Sequence, residues 1–314
     1  IEGLTVGSII LGVVLGGVLI KPEVADPILN FFHLNAIGLH SFAEAAIFAI
    51  AFVYLAASSV NLAIPDTGAR YPKQPLDPVH TIRKFCGSCK TLWLDRLGQI
   101  SLSVTTLFWG AGAVLQFLVL KWCEHALGMD LSQGAIMQAV VSLGIAVGAV
   151  LAATKISLKN SLSVLPMGIC MGVLVILMSY YTRDVAPAGG ITIFSWTLSW
   201  AVLIAAGALI LVGVCAGFFV VPMNALLQHR GHVLMSAGRS IAVQNFNENL
   251  SILVMLGVYS LLIKLDLSVP GTMLVFGIFV SVSMALVILK HQRNQREYDS
   301  THLIGEEKRP HSDH

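Results

Sequence analysis

Long apolar runs recur along the chain and are separated by short polar segments. Each run is close to the ~20 residues that an α-helix needs to cross a bilayer, and none alternates over about ten residues as membrane β-strands do. The pattern predicts an all-α membrane protein with eight transmembrane helices. The predicted spans are residues 3–20, 41–62, 100–120, 135–153, 162–181, 194–223, 241–263 and 271–289.

The composition agrees with a protein that lies in lipid. Hydrophobic residues make up 56% of the chain and charged residues only 11%, whereas roughly a quarter of the residues of a soluble domain are charged. The mean hydropathy is +0.80. A formal net charge of +2 is too small to indicate a nucleic-acid partner, so the positions of the charges matter more than their sum.

Lys and Arg are concentrated on one side of the predicted bundle. Segment 63–99, the next two loops on the same side and the tail contain most of the 19 Lys and Arg residues, and the opposite side has only Lys21, Lys121, Arg183 and Lys264. Short cytoplasmic loops have the positive excess in membrane proteins. Both termini of this chain are therefore predicted to be cytoplasmic.

Three motifs of small and polar residues interrupt the apolar runs. They are FWGAG at 108–112, GFFVVPMNALLQ at 217–228 and AVQNFNEN at 242–249. In these motifs the chain resembles the bacterial lysophospholipid transporter family of the major facilitator superfamily, from residue 1 to about 289. The resemblance implies an inner-membrane protein that moves lysophospholipids, chiefly lysophosphatidylethanolamine, from the outer to the inner leaflet. It also implies a functional link to a cytoplasmic acyltransferase coupled to an acyl-carrier-protein synthetase, which restores the missing acyl chain.

The Pro-rich segment 63–99 separates two predicted spans from six. Transporters of the major facilitator type join two six-helix halves by such a cytoplasmic connection. We therefore expect residues 1–62 to end the N-terminal half, 63–99 to be the inter-half loop, 100–289 to form the C-terminal half and 290–314 to be a cytoplasmic tail. The chain starts at Ile1 without Met, so we expect helices 5–12 of twelve, with the first four absent.

The polar run in the seventh predicted span is the main candidate site. At 100° per residue, Gln244, Asn245, Glu248 and Asn249 fall within an arc of about 140°, and Asn247 lies outside it. A buried charge in a membrane span is costly and indicates function by default. The functional interpretation is a headgroup site in which Glu248 attracts an ammonium group and the amides bind phosphate or glycerol oxygens. The alternative is hydrogen bonding between helices.

Five further residues complete the predicted substrate-binding set. Gln116 occupies a position where the resembling family has Arg in the sequence Leu-Arg-Phe, so it can donate a hydrogen bond but not a charge. Glu44 could line the same cavity or reach water at the interface. Phe108 and Trp109 could contact an acyl chain or pack plainly, and Asn224 belongs to the second motif.

Other features give smaller predictions. Residues 81–97 alternate basic and apolar side chains, which predicts an amphipathic helix that lies on an anionic leaflet or serves as a solvated linker. Cys86 and Cys89 supply half of a zinc site and are interpreted as reduced thiols, so no metal or cofactor is predicted. The glycine pairs 12/16 and 144/148 predict close helix packing, and the tail after residue 290 is predicted to be disordered.

No motif for phosphate cradling or for a nucleophile occurs in the chain, which argues against an enzyme. Lysophospholipid transport by alternating access is the main hypothesis. The alternative carrier is a proton-coupled one for another small amphipathic compound, with Glu248 carrying the proton. A third alternative is a membrane scaffold that only recruits the acyltransferase.

Overall fold

The computed structural model describes residues 8, 11–12, 15–16, 18–19, 21–33, 36, 38, 40–65, 77–193 and 196–304. Most of the predicted span 3–20 lies outside these residues, and the few of its residues that are described are helical. The helices are α1 Pro22–Phe31, α2 Phe42–Asn61, α3 Pro78–Leu94, α4 Gly98–Leu127, α5 Leu131–Lys155, α6 Pro166–Ser179, α7 Trp200–Leu234, α8 Ala237–Lys264 and α9 Val269–Glu297. Strands β1 Gly190–Ile193 and β2 Trp196–Ser199 form a hairpin, and 3-10 turns occupy Leu158–Val164, Arg183–Val185 and Thr301–Leu303.

Seven helical segments in the described part of the chain are long and apolar enough to cross a membrane. They are α2, α4, α5, the 3-10 turn with α6, α7, α8 and α9, which correspond to the second to eighth predicted spans. The prediction of an all-α membrane fold is thereby confirmed for these spans. Some helices are longer than the predicted apolar runs. The helix α7 continues through polar residues to Leu234, and α9 continues to Glu297.

Helix ends follow from local side-chain chemistry. The Asp130 side chain accepts a hydrogen bond from the backbone N–H of Gln133, whose own side chain accepts from the N–H of Asp130, so the two form a capping box at the start of α5. Gly128 ends α4 in the left-handed region, with φ 65°, a conformation that favours glycine. The turn between α4 and α5 is therefore fixed by three residues.

The predicted start of the sixth span at residue 194 is wrong. The helix α7 begins at Trp200, and the residues before it form the antiparallel hairpin in which Gly190 faces Ser199 and Ile193 faces Trp196. β-Branched and aromatic residues at these positions suit a strand as well as an apolar helix. Ser199 then caps α7 by accepting a hydrogen bond from the N–H of Val202 at 3.4 Å.

Glycines let α5 and α7 pack at close range, and this contact is the most extensive in the bundle. A Cβ atom added at Gly144, Gly148, Gly213 or Gly217 would collide with a backbone carbonyl oxygen of the facing helix. The packing predicted for the pair 144/148 is therefore confirmed. At Gly12 and Gly16 a Cβ would meet nothing within 4 Å among the described residues.

The amphipathic helix predicted near 81–97 is present as α3, and it packs onto one end of the bundle. Leu92 is fully buried in a cluster with Leu102 of α4, Leu227 of α7 and Val243 of α8. The basic residues of α3 and the side chain of Val79 remain exposed. The segment is therefore a helix that docks on the bundle through Leu92.

The tail is ordered as far as it is described, so the prediction of disorder after residue 290 is wrong for 290–304. The side chain of Asn294 is buried and donates to the backbone oxygen of Arg96 at 3.4 Å. Ile304 is 3% exposed and lies in the cluster that contains Leu97 and Ile100. Contacts with residues about 200 positions earlier order this segment, which local composition could not indicate. Residues 305–314 lie outside the described part.

Candidate functional site

A buried polar cluster lies between α7 and α8. Glu248 is 8% exposed, and its Oε1 accepts a hydrogen bond from Nε2 of Gln244 at 2.8 Å. The same Gln244 nitrogen donates to Oδ1 of Asn224 at 3.3 Å. Gln244 and Glu248 are four residues apart on one helix and therefore share a face. Three of the residues predicted from the sequence are thus brought together.

A cavity of about 310 Å³ lies within the bundle formed by α4 to α9 and reaches this cluster at Asn224, whereas Gln244 and Glu248 are not among its lining residues. Four of the predicted residues line it, namely Phe108, Trp109, Gln116 and Asn224. Its volume lies at the lower end of the range typical of small-molecule sites. Most of the remaining lining is aliphatic. Asn224 connects this largely apolar cavity, through Gln244, to the carboxylate of Glu248.

Two polar residues of α5 that the sequence analysis did not select also line the cavity. Nε2 of Gln138 donates to the backbone oxygen of Gln116 at 2.6 Å, and Oγ of Ser142 donates to the backbone oxygen of Gln138 at 3.2 Å. Gln138 ties α5 to α4 at the end of the cavity away from Glu248. In the sequence, Gln138 stands out only as a single amide within a largely apolar run, and the prediction of site residues did not include it.

The indole of Trp109 reaches the cavity with an unused donor. Its Nε1 is buried and has no hydrogen-bond partner among the residues that the structure describes. The ring packs edge-on against Phe108, with centroids 5.7 Å apart. A buried N–H group without a partner is costly. A hydrogen-bond acceptor that entered the cavity beside Trp109 would therefore be stabilised by a bond from this N–H group.

The other amides of the polar run do not face the cavity. Asn245 and Asn249 are exposed, and Nδ2 of Asn249 donates to the backbone oxygen of Asn245 at 2.7 Å. Asn247 accepts a hydrogen bond from Nε1 of Trp93 on the linker helix α3 at 3.2 Å. Asn245 and Asn249 therefore lie on an exposed face of α8, and neither residue lines the cavity.

Glu44 lies far along the chain from this cluster. Its side chain caps the start of α2. Its Oε2 accepts hydrogen bonds from the backbone N–H groups of His40 and Ser41, each at 2.8 Å. The Ser41 side chain in turn accepts from the N–H of Glu44 at 3.2 Å, which completes a capping box at the start of α2. Glu44 is absent from the cavity lining, and its position is explained by helix capping.

The two cysteines of α3 lie away from the cavity. Cys86 is exposed and Cys89 is partly buried. Burial, and secondarily the neighbouring Cys86 thiol, raises the pKa of the Cys89 thiol, which keeps it protonated at neutral pH. Within the described part of the chain, no three His, Cys, Asp or Glu side chains come together as metal ligands would.

Comparison with curated proteins gives a consistent result, although no family model matches the chain. The chain is 38% identical over 269 residues to a protein named lysophospholipid transporter LplT from Pectobacterium carotovorum subsp. carotovorum, with 85% of this chain and 57% of that protein aligned. Proteins of the same name from Enterobacter sp. and Escherichia coli are 37% and 35% identical over 284 and 294 residues, which cover 90% and 93% of this chain. The aligned part is 62% and 65% of those proteins, so the chain spans about three fifths of the length of these relatives.

Proposed function

Because the chain belongs to the lysophospholipid transporter family, we propose that it forms part of a protein that moves lysophospholipids across a membrane. It is a multi-pass membrane protein. The proposed direction is from the outer to the inner leaflet of the bacterial cytoplasmic membrane, with lysophosphatidylethanolamine as the main substrate. A cytoplasmic acyltransferase coupled to an acyl-carrier-protein synthetase would then consume the delivered lipid. Removal of the product in this way would favour net inward movement without bound ATP.

The observation that carries this proposal is a buried carboxylate that is joined through Gln244 to Asn224, which lines an apolar cavity. Glu248 lies in a membrane span and is 8% exposed, and a charge at such a position is retained at high cost. The ammonium group of lysophosphatidylethanolamine would pair with this carboxylate. Asn224 and Gln244, which already form a chain of hydrogen bonds with it, would bind phosphate or glycerol oxygens through their amides.

Gln116 is proposed to serve the substrate at the other end of the cavity. Its side chain lines the cavity, and its backbone oxygen is held by Gln138. An amide can bond a glycerol hydroxyl or an ester oxygen, but it supplies no positive charge for the phosphate. The proposed site is thus more acidic than one with Arg at this position, which favours a zwitterionic over an anionic headgroup.

We further propose the arrangement of the chain in the membrane. Both termini would be cytoplasmic, because the Lys and Arg excess marks that side. Residues 100–289 would form one six-helix half, with 63–99 as the connection to the other half and 290–314 as the tail. The docking of Leu92 and of Ile304 onto the same end of this bundle is consistent with a connection and a tail on one side.

The test is the substitution Glu248→Gln in the full-length protein reconstituted into proteoliposomes. The variant keeps the shape and the hydrogen bond to Gln244 but loses the charge. Inward movement of lysophosphatidylethanolamine should fall tenfold or more, as expected from the ~1.5–3 kcal/mol of a charge-assisted bond. Movement of lysophosphatidylglycerol, which has no ammonium group, should change much less. Glu124→Gln, at an exposed carboxylate paired with Lys121, is the matched control and should behave as wild type.

Three results would contradict the assignment. Equal loss of both lipids, with a residual rate that no longer depends on pH, would mean that Glu248 carries a proton instead. Loss of folding, judged by size-exclusion profile and thermal stability, would mean that the residue holds helices together. Wild-type rates for both lipids in a well-folded Glu248→Gln protein would remove the residue from the site.

A further inference from the structure

A second, smaller cavity lies between α3 and the start of α8. Its volume is about 240 Å³. Four of its lining residues share one face of α3, at the spacing i, i+3, i+4 and i+7, and two come from the first two turns of α8. They are Thr81, Lys84, Phe85, Ser88, Arg239 and Ala242. None of them lines the larger cavity at Asn224, so the two cavities are distinct.

Two positive charges line this cavity, and no carboxylate does. Lys84 and Arg239 approach it from different helices, and neither forms an ion pair within the described part of the chain. The helix α3 contains no Asp or Glu, and Asp77 before it accepts a hydrogen bond from the N–H of Val79. A cleft lined by one sign of charge concentrates counter-ions. We call this cavity the basic groove.

The start of α8 adds to the positive potential of the basic groove. Ser236 precedes the helix, and its side chain makes no capping hydrogen bond. The first N–H groups of a helix have no partner within it, and the helix dipole places partial positive charge there. Arg239 is in this first turn. The hydroxyls of Thr81 and Ser88 donate to backbone oxygens of their own segment, so the charges dominate the recognition of an anion.

The position of the basic groove indicates a lipid as the source of the anion. The helix α8 is a candidate membrane span that begins at Ala237, so Arg239 lies at one end of a span, where lipid headgroups lie. An apolar stripe continues from Ala242 along the same face of α8, within an arc of about 80° at 100° per residue. The stripe consists of the exposed side chains of Phe246, Leu250 and Leu253. A phosphate in the groove would thus have a path for hydrocarbon beside it.

We propose that the basic groove binds the headgroup phosphate of an anionic phospholipid and that the bound lipid fastens α3 to α8. The Lys84 ammonium and the Arg239 guanidinium would form charge-assisted hydrogen bonds to the phosphate oxygens. Because the two cations belong to different helices, the shared anion would bridge them. About 240 Å³ is roughly eight times the ~30 Å³ of a water molecule in the liquid, which suffices for a phosphate group and part of a glycerol.

This lipid belongs to the surrounding leaflet and is not the one transported. The bridge would add to the contacts that already dock α3, namely the burial of Leu92 and the bond from Trp93 to Asn247. On the proposed orientation, the leaflet is the cytoplasmic one. The inference does not depend on which substrate the protein carries.

The experiment titrates the full-length protein in a nonionic detergent with phosphatidylglycerol, and with phosphatidylcholine for comparison. Native mass spectrometry counts the bound lipids, and hydrogen exchange reports the docking of residues 78–94. One phosphatidylglycerol should bind more tightly than any phosphatidylcholine, whose quaternary ammonium would meet two cations. At a lipid concentration ten times the Kd, exchange of the amides that open when α3 undocks should slow about tenfold.

Substitutions of the two cations test the site. Lys84→Gln or Arg239→Gln should each weaken phosphatidylglycerol binding about fivefold, and the double variant about 25-fold, with no slowing of exchange at the concentration that slows it in wild type. Lys84→Arg should bind as wild type. Lys90→Gln is the matched control, because it removes the same charge from an exposed position of α3 outside the groove lining. Without lipid, all variants should melt as wild type does, since neither groove cation has an ion pair to lose.

Four results would overturn the proposal. Equal phosphatidylglycerol affinity in wild type and the double variant would remove the site. An equal loss in Lys90→Gln and Lys84→Gln would mean diffuse attraction to α3 as a whole. Inorganic phosphate that slowed exchange in α3 as much as phosphatidylglycerol at the same concentration would assign the groove to a free anion. Lipid binding without slower exchange would refute the bridge between α3 and α8.

Discussion

A buried ion pair joins the start of α4 to the end of α7, and its removal should destabilise the protein strongly. Nη2 of Arg230 lies 2.7 Å from Oδ1 of Asp95, and Nε lies 3.1 Å from Oδ2, so the pair is bidentate. The side chains are only 4% and 11% exposed. Asp95 also accepts a bond from the N–H of Gly98 at 2.7 Å, and Arg230 donates to the backbone oxygen of Leu303 at 3.3 Å. One pair thus fixes α4, α7 and the segment after α9.

Asp95→Asn tests this pair with little change in shape. The asparagine oxygen can still accept from Gly98, but the Arg230 guanidinium becomes a buried charge without its counter-ion. Breaking one partner of a buried pair costs about 3–5 kcal/mol. At roughly 2–4 °C per kcal/mol for chains of this order of size, the apparent melting temperature should fall by about 10 °C. The pair need not stabilise the fold relative to apolar residues, because desolvation of both charges opposes it.

The assay is thermal unfolding of the detergent-purified full-length protein, followed by fluorescence and size-exclusion chromatography. Glu124→Gln is the control, because its pair with Lys121 is 60–65% exposed and such pairs contribute about 0–1 kcal/mol. The double variant Asp95→Leu with Arg230→Met removes both charges and should recover much of the lost stability. A melting temperature of Asp95→Asn equal to that of Glu124→Gln would refute the reasoning. A double variant less stable than Asp95→Asn would show that the ion pair stabilises the fold by more than each charge merely neutralising the other.

Two further predictions concern topology and the linker helix. An impermeant thiol reagent added outside intact cells should label Ala188→Cys but not the native Cys86, which is exposed on α3; labelling of Cys86 from outside would reverse the proposed orientation. Trp93→Phe should remove the 3.2 Å bond to Asn247, worth about 0.5–1.5 kcal/mol, and hydrogen exchange in α3 should accelerate accordingly. Trp200→Phe, at the start of α7, should leave exchange in α3 unchanged, and equal exchange in both variants would argue against the contact.

The spans could be predicted from the sequence because lipid imposes one strong condition on them. Every backbone polar group must be satisfied within a span, so helices of about 20 apolar residues leave a clear pattern. The elements that were wrong depend on other forces. The hairpin before Trp200 satisfies its backbone by strand pairing, and the order of residues 290–304 comes from contacts such as that of Asn294 with Arg96, 198 positions away. Neither contact leaves a periodic pattern in the sequence.

The site could be predicted only in part, for a geometric reason. The cost of burying a charge identified Glu248, and the spacing of four residues placed Gln244 on the same face. Helical spacing gives angles between residues but not the direction of the bundle interior. Asn245 and Asn249 lie within the predicted arc, yet the part of that arc that they occupy is exposed in the described structure. Gln138 was missed because its role comes from its bond to the backbone of Gln116 on another helix.

The polar run of α8 links the candidate site to the linker helix through one rigid element. Glu248 faces the interior, and its neighbour Asn247 holds Trp93, while Phe246 packs edge-on against Phe85 with centroids 5.3 Å apart. Adjacent residues of a helix rise together by about 1.5 Å each. A displacement of α8 that altered the surroundings of the carboxylate would therefore either carry α3 with it or break both contacts. The contacts that dock α3 and the hydrogen bond of Glu248 to Gln244 are thus held by the same turns of α8.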